Sequence, residues 1–260
     1  MKILLLGASG MLGSEVLMQA RERGHEVLTS HVRLDEEFSQ ADLPQGLDVI
    51  INCAGNTAMH SEEVESLIEV NALGVAVLMR AAHARKTRLV HMSTDCVFSG
   101  GIGAAFSYET DDTPGPVDIY GASKRLGELA VLAAPRNLVV RGSFIGLRHG
   151  FLRWLLDARG TVKAYMNARW NGAAVWHMAS ALLDLAESGQ TDIVHVAAEK
   201  PVTKAWMVEY LVEALDLPVS IEVVPEPRVN RALTPDILLP PVQQSLDEIV
   251  QRVKAQEVLA

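Results

Sequence analysis

Residues 3–13 read Ile3-Leu4-Leu5-Leu6-Gly7-Ala8-Ser9-Gly10-Met11-Leu12-Gly13. The continuous apolar run Ile3-Leu4-Leu5-Leu6 has the form of a strand buried on both faces. A Gly-x-x-Gly-x-x-Gly loop follows it. Apolar Met11, Leu12, Val16, Leu17 and Ala20 then recur at helical spacing over 11–23, and Gly24 ends the pattern as a C′ glycine. A strand, a glycine loop and a helix in that order turn free backbone N–H groups and the positive end of a helix dipole toward a phosphate. Gly7 permits the tight turn, Gly10 lets a pyrophosphate approach the backbone, and Gly13 lets the helix pack closely on the strand.

The same alternation continues outward. Residues 26–31, 49–53, 89–93 and 137–141 read as strands, and 61–85 and 120–133 as helices. Strands separated by crossover helices imply an α/β fold, a Rossmann-type doubly wound parallel sheet. Beyond Ser143 the rhythm loosens. Helices are expected over 151–158 and 174–187, and a returning strand over 193–197. After Val202 come a helix, a short strand at 221–224 and a run through Pro240-Pro241. The expected division is a dinucleotide-binding core over 1–143, with 174–198 returning to it. Residues 144–173 and 199–260 then form a small C-terminal substrate lobe over the sheet's carboxyl edge, where such folds bind ligands.

Composition narrows the function classes. The chain has 260 residues, 49% hydrophobic, with a net charge of −9. That suits one large domain, or one domain with a small appendage. An acidic surface disfavours nucleic acid and anionic membrane as partners, so a phosphate site must be local. Cys53 and Cys96 form no Cys-x-x-Cys pair, disulfide framework or zinc motif, which points to a reducing cytoplasm. The first apolar run stops at Gly7, short for a signal peptide, and no transmembrane helix is expected. No histidine lies in a His-x-x-x-His pair, so no metal is expected. Trp154, Trp170, Trp176 and Trp206 read as packing, with Trp170 the one able to line a sugar or base. Glu62-Glu63 and Asp111-Asp112 read as solvated.

Tyr120-Gly121-Ala122-Ser123-Lys124 opens a helix, and residues four apart share a face. An ammonium beside a phenol favours the phenolate, so Lys124 is expected to lower the Tyr120 pKa and fit it for proton exchange with a carbonyl or alcohol oxygen. Lys124 can also hold a nicotinamide ribose. Upstream, His91-Met92-Ser93-Thr94-Asp95-Cys96-Val97-Phe98 lies at the carboxyl end of a strand, where Thr94 or Ser93 can polarise a carbonyl. In each case the alternative is a solvated helix face or a capped strand end. The order of glycine loop, strand end and Tyr-Lys helix is what hydride transfer needs. An acid near the end of the second strand commonly binds the ribose 2′-hydroxyl. Here Arg33 stands nearer that place than Asp35, which leaves a 2′-phosphate contact or a solvated surface arginine.

These stretches resemble the extended short-chain dehydrogenase/reductase superfamily, and within it the dTDP-4-dehydrorhamnose reductase-like branch. The matching segments are 7–13, Ile51-Asn52-Cys53-Ala54-Gly55, Val70-Asn71-Ala72, Ser93-Thr94-Asp95 and 120–124, with Asp42-Leu43 also fitting. Arg141 and Asn230-Arg231-Ala232-Leu233 fit more loosely. The resemblance implies Thr94, Tyr120 and Lys124 as the catalytic residues. It implies Gly7, Ser9, Gly10, Met11, Leu12 and Gly13 as cofactor-binding, with Asp42 and Leu43 at the adenine and Cys53, Ala54 and Gly55 at the pyrophosphate and ribose. Asn71, Tyr120 and Lys124 complete that set. It implies NADP, or NAD, as cofactor, a nucleotide sugar as substrate, a homodimer, and a place in polysaccharide biosynthesis.

The chain departs from the branch at Cys96, where an aromatic residue is usual, and at Gly142 and Phe144, where Thr and Trp are common. A dehydratase would carry a Glu after Asp95, and Cys96 stands there instead. The leading expectation is a ketoreductase acting on a 4-keto-6-deoxy nucleotide sugar, with Tyr120 giving the proton. One alternative is a bifunctional epimerase/reductase, in which Cys96 and His149 form an acid–base pair with Asp95 beside them at the substrate. Against it stands a buried inert Cys96 with a surface His149. The other alternative is a non-catalytic cofactor-binding regulatory subunit, because fold does not dictate function.

Overall fold

The structure is a computed structural model, and it describes residues 1–30, 43–57, 64–101, 103 and 106–255. Its centre is a seven-stranded sheet. In spatial order the strands are Ile237–Leu239, Asp192–Ala198, β5 (Leu138–Gly142), β4 (Arg88–Met92), β3 (Val49–Asn52), β1 (Lys2–Leu6) and β2 (Glu26–Thr29). All neighbours pair parallel, with Leu4 opposite both Leu28 and Ile50. β3 and β5 are buried along their whole length, with apolar Val49-Ile50-Ile51 and Leu138-Val139-Val140 followed by buried Asn52 and Arg141.

Side chains alternate between the two faces of the sheet. Ile3, Leu5, Val49, Ile51, Val90 and Val140 pack with Leu12 and Val16 of α1 (Met11–Glu22). Leu182 of the long helix Val175–Ser188 joins the same cluster. On the other face, Leu4, Leu6, Ile50, Leu89 and Val139 meet Val75, Leu78 and Ala82. Burying each such side chain is worth roughly 1.5–3 kcal/mol.

The helix expected over 61–85 is interrupted. α2 (Val64–Ile68) passes through a π-helical turn, Glu69–Leu73, into α3 (Gly74–Ala84). Contrary to the sequence expectation, this 21-residue run, Val64–Ala84, is long and apolar enough to cross a membrane by length and composition. Its buried Leu67, Val75, Leu78, Ala81 and Ala82 are core residues of the layered fold. α4 (Ile119–Leu132) is the helix expected over 120–133.

The C-terminal third corrects the expected boundaries. Ile237–Leu239 pairs with Asp192–Ala198 as an edge strand of the main sheet, so 199–260 is not wholly lobe. Pro241 is the N-cap of a helix, Val242–Lys254, whose Val242, Leu246, Ile249 and Val250 return to the main core. The prolines thus start a helix, where the sequence reading placed a Pro-rich run within the lobe. The lobe proper has a parallel pair, Gly160–Tyr165 with Val219–Val224. Beside it, Ala168–Trp170 lies between Val202–Thr203 and Val229–Asn230. The strands over 160–170 were not expected from sequence.

Candidate active site

Chain order reverses between β1 and β3, so a crevice opens at their carboxyl ends. The loops leaving the two strands touch there. Gly7 sits at φ +75°, and a Cβ on it would lie 2.5 Å from the Ala54 nitrogen. A Cβ on Gly13 would lie 2.0 Å from the Gly7 oxygen. Both glycines are therefore demanded by the chain's own packing. Gly10 differs, because its φ is −74° and a Cβ would meet only the Gly7 oxygen, at 3.2 Å. Gly10 is also the N-cap of α1, with no side chain capping the helix and no acid in the first turn. The exposed, uncapped N-terminus and the small residue in front of it fit a dinucleotide pyrophosphate. Ser9 is exposed beside it, and Met11 packs so closely on Gly146 that a Cβ there would lie 2.1 Å from its sulfur.

The second wall is the end of β4. Thr94 caps a short 3-10 turn, accepting from the Cys96 amide at 3.2 Å and donating to Asp95 Oδ1 at 3.1 Å. Its hydroxyl lies beside the Tyr120 phenol and acts to lower that phenol's pKa. Ser93, the other hydroxyl considered, points the opposite way and donates to Glu128 Oε1 at 2.6 Å. Tertiary structure thus selects Thr94 over Ser93.

α4 carries Tyr120 into this corner. Its N-cap is Asp118, whose Oδ1 accepts from the Gly121 amide at 2.7 Å and whose Oδ2 accepts from Arg231 at 3.1 Å. A Cβ on Gly121 would lie 2.2 Å from the Cys96 oxygen, so glycine after Tyr120 lets the helix touch the turn that carries Thr94. Asn71, on the π turn, ties the remaining loop. It accepts from the Asn56 amide at 2.9 Å and donates to the Asn56 oxygen at 2.8 Å and to Ser123 Oγ at 3.1 Å. π turns inside helices recur at functional sites.

One electrostatic expectation is overturned. Tyr120 is not lowered toward neutrality; its pKa is raised, first by burial and then by Cys96, Asp95 and Asp118, with the Thr94 hydrogen bond opposing. Lys124 shares its helical face, and its Nζ donates to the Met92 oxygen at 2.7 Å and lies 3.5 Å from His91 Nε2. Burial lowers Lys124 to about 8, against the pull of Glu128 and Cys53.

The other expected residues divide. Cys53, Ala54 and Gly55 follow β3 beside Lys124, and burial raises the Cys53 thiol to about 12. Leu43 is 2% exposed and packs with Leu4, Leu6 and Ile50. Arg33 and Asp42 lie outside the described residues. Burial and Asp95 push the Cys96 thiol up to about 12, and its sulfur accepts from Arg231 at 3.1 Å. Burial raises Asp95 as well, ahead of the opposing Arg231 and Thr94. His149 is exposed at the N-cap of Gly150–Asp157, and among the described residues no hydrogen bond joins it to Cys96. Trp170, considered for a sugar contact, is 7% exposed and donates to Ser143 Oγ at 2.7 Å, which makes it a core residue. Trp154, read as packing, is instead 49% exposed.

Sequence reasoning missed Glu128, Asn52 and Arg231 as site-supporting residues and gave His91 no role. Glu128 had a signal, because Tyr120, Lys124 and Glu128 are spaced by four along one helical face.

Comparison with known proteins identifies the family. The model of the RmlD substrate-binding domain family matches residues 1–232. The dTDP-4-dehydrorhamnose reductase of Mycobacterium tuberculosis is 34% identical over 218 residues, covering 78% of this chain and 72% of that protein. That of Mycolicibacterium smegmatis is 34% identical over 209 residues, covering 75% of this chain and 64% of that protein. Thus the match spans just under two thirds of the second relative's length. Among solved structures, a dTDP-4-dehydrorhamnose reductase from Clostridium acetobutylicum superposes with a TM-score of 0.89 at 21% identity, over 98% of this chain and 100% of that one. A hypothetical dTDP-4-dehydrorhamnose reductase from Sulfolobus tokodaii gives 0.76 at 28% identity, over 97% and 94%. The chain belongs to the RmlD substrate-binding domain family, the dTDP-4-dehydrorhamnose reductase-like branch of the extended short-chain dehydrogenases/reductases.

Proposed function

We propose that the chain is an NADPH-dependent reductase of a 4-keto-6-deoxy nucleotide sugar. The observation that carries this reading is the Thr94–Tyr120 hydroxyl pair at the carboxyl edge of the sheet, beside a glycine loop and an uncapped helix N-terminus. The bound nicotinamide supplies the hydride. Thr94 and Tyr120 hold the carbonyl oxygen, and Tyr120 protonates it as it gains charge. A phenol whose pKa burial has raised is protonated at neutral pH, which suits it to give rather than take a proton. Gly7, Ser9, Gly10, Met11, Leu12 and Gly13 cradle the cofactor's phosphates, Asp42 and Leu43 border its adenine, and Cys53, Ala54, Gly55 and Asn71 line its ribose side.

The names of the mycobacterial relatives support a dTDP-linked substrate. A related chain from Bacillus anthracis was solved in complex with NADP. NADPH is preferred over NADH in this reading because Arg33 takes the 2′-phosphate. The preference is tested by comparing kcat/KM for the two cofactors in wild type and Arg33→Ala. Equal ratios in both proteins exclude Arg33. The lobe strands around Ala168–Trp170 and Val229–Asn230 stand over the sugar, in a homodimer in the cytoplasm.

The epimerase/reductase reading is disfavoured because the Cys96 thiol, raised to about 12 and held by Arg231, is a poor base. The regulatory-subunit reading is disfavoured because the sequence keeps Thr94, Tyr120 and Lys124 together. The deciding experiment mixes purified protein, NADPH and dTDP-4-dehydrorhamnose and follows loss of reduced-nicotinamide absorbance. Tight NADPH binding with no turnover of that substrate or other 4-keto nucleotide sugars sinks the reductase reading.

A further inference from the structure

A strap from the lobe runs past the catalytic corner. It begins where Val229–Asn230 pairs with Ala168–Trp170. The Asn230 amide donates to the Gly100 oxygen at 2.9 Å, and Asn230 Nδ2 donates to the oxygens of Gly103 and Phe106 at 3.0 and 2.8 Å. The Tyr108 amide donates to the Ala232 oxygen at 2.8 Å, and the Leu233 amide donates to Asn171 Oδ1 at 3.1 Å. Asn230, Ala232 and Leu233 are buried. The backbone on both sides of Arg231 is therefore fixed, and its stem packs over Gly100, where a Cβ would lie 3.2 Å from Arg231 Cγ. From there the guanidinium forks. Nη1 donates to Cys96 Sγ and Nη2 to Asp118 Oδ2, each at 3.1 Å. Cys96 belongs to the turn that Thr94 caps, and Asp118 caps the helix whose second residue is Tyr120. Turn and helix already touch at Gly121, where a Cβ would lie 2.2 Å from the Cys96 oxygen. Arg231 closes that contact from a third side. Its Nε is buried without a hydrogen-bond partner among the described residues, a cost to the fold that argues for a use of the fork beyond stability.

We propose that Arg231 is a positioning residue, through which the lobe holds the first turn of α4, and with it Tyr120, against the turn that carries Thr94. It acts on both hydroxyls through their neighbours. Cys96 stands two residues after Thr94, and Asp118 two residues before Tyr120. Two donors in one rigid plane fix the spacing between their two acceptors, which a single ammonium on a flexible stem does not. Arg231 also compensates the carboxylates of this corner. It pairs with Asp118 directly, and it is the largest influence opposing the burial that raises Asp95. That this spacing serves the reduction rests on the reductase reading, whereas the bridge itself does not.

The test uses the full chain with Arg231→Met, which keeps an apolar stem and removes the fork, and Asp118→Asn, which keeps an oxygen for the Gly121 amide and removes the charge. The Asp118 side chain is 41% exposed, and exposed ion pairs add little to stability, so both variants should fold. Amide exchange followed by NMR without substrate should find the Gly121 amide protected in wild type and exchanging faster in Arg231→Met, with the amides of β1 and β5 unchanged. With NADPH and a 4-keto nucleotide sugar, kcat should fall about ten- to a hundredfold in Arg231→Met while KM for both stays near wild type, because misplacement slows the chemical step. The double variant should be no slower than Arg231→Met, since both changes act through one contact. Unchanged Gly121 exchange, an unchanged kcat, a loss confined to KM, or losses that multiply in the double variant overturns the proposal. If Arg231→Met does not fold, Asp118→Asn should show the same faster exchange and slower turnover, and decides in its place. If wild type reduces no 4-keto nucleotide sugar, the reductase reading falls and the Gly121 exchange rate alone decides the bridge.

Discussion

The Arg141 guanidinium and the Glu128 carboxylate meet in two parallel hydrogen bonds, Nε to Oε1 and Nη2 to Oε2, both at 2.9 Å. Their side chains are 1% and 0% exposed. Glu128 also accepts from Ser93, next to Thr94, and from Arg125. Arg141 lies over the Phe98 ring, 5.0 Å from its centroid, and reaches His195 Nε2 at 3.4 Å. The pair joins β5, α4 and Ser93 after β4, next to the candidate catalytic Thr94. Fork-to-fork pairing fixes direction as well as distance, so it holds α4 in register with β5, the neighbour of β4.

Breaking that pair should be costly, because it strips a buried charge of its fork-to-fork partner. Arg141→Met is expected to destabilise the fold by about 3–5 kcal/mol. Urea unfolding of Arg141→Met, Glu128→Leu and the double variant measures it. The double variant should lose less than the sum of the two single losses. Additive losses would show that the pair acts only as two independent packing groups.

His195 should make the protein acid-labile. Burial, and then the Arg141 charge, lower its pKa from 6.5 to about 4. The unfolded chain then binds more protons than the folded one between those values, so folding stability falls as pH drops from 6.5 to about 4. A shift of this size corresponds to about 3 kcal/mol. Urea midpoints across that window should fall in wild type and fall less in His195→Gln. Parallel pH profiles would remove His195 as the cause.

Gly7 and Gly10 should separate folding from binding. Gly7→Ala adds a Cβ 2.5 Å from the Ala54 nitrogen at a φ of +75°, so it should lower thermal stability. Gly10→Val sits at φ −74° and should fold, while placing its side chain where a pyrophosphate must approach. Fluorescence titration with NADPH reads the difference. Wild-type affinity in a folded Gly10→Val would move the phosphate site elsewhere.

Tyr120→Phe removes only the phenol's hydroxyl. In the proposed reaction kcat should fall by roughly 10²–10⁴ while NADPH affinity stays near wild type, because the proton donor is lost and the phosphate cradle is not. An unchanged kcat would take Tyr120 out of the chemistry.

Local sequence determined the first half of this protein to within a few residues. Continuous apolar runs specify strands buried on both faces, helical spacing specifies the layers above and below, and the glycine loop between the first two elements specifies the phosphate-facing turn. Tyr120 and Lys124 were visible because helical period is a local property, and Thr94 because strand ends collect at one edge of a parallel sheet. Only tertiary structure decided what depends on partners far away in the chain. It chose Thr94 over Ser93, since Glu128 takes the Ser93 hydroxyl. It raised the Tyr120 pKa where spacing predicted a fall, since burial outweighs the opposing Thr94 contact. It brought Ile237–Leu239 back to the sheet, because a short edge strand is defined by the strand it pairs with and not by its own pattern. It joined Arg231 to Cys96 and Asp118 across more than a hundred residues. Periodicity is written in neighbours along the chain, whereas burial, charge and hydrogen-bond direction are set by neighbours in space.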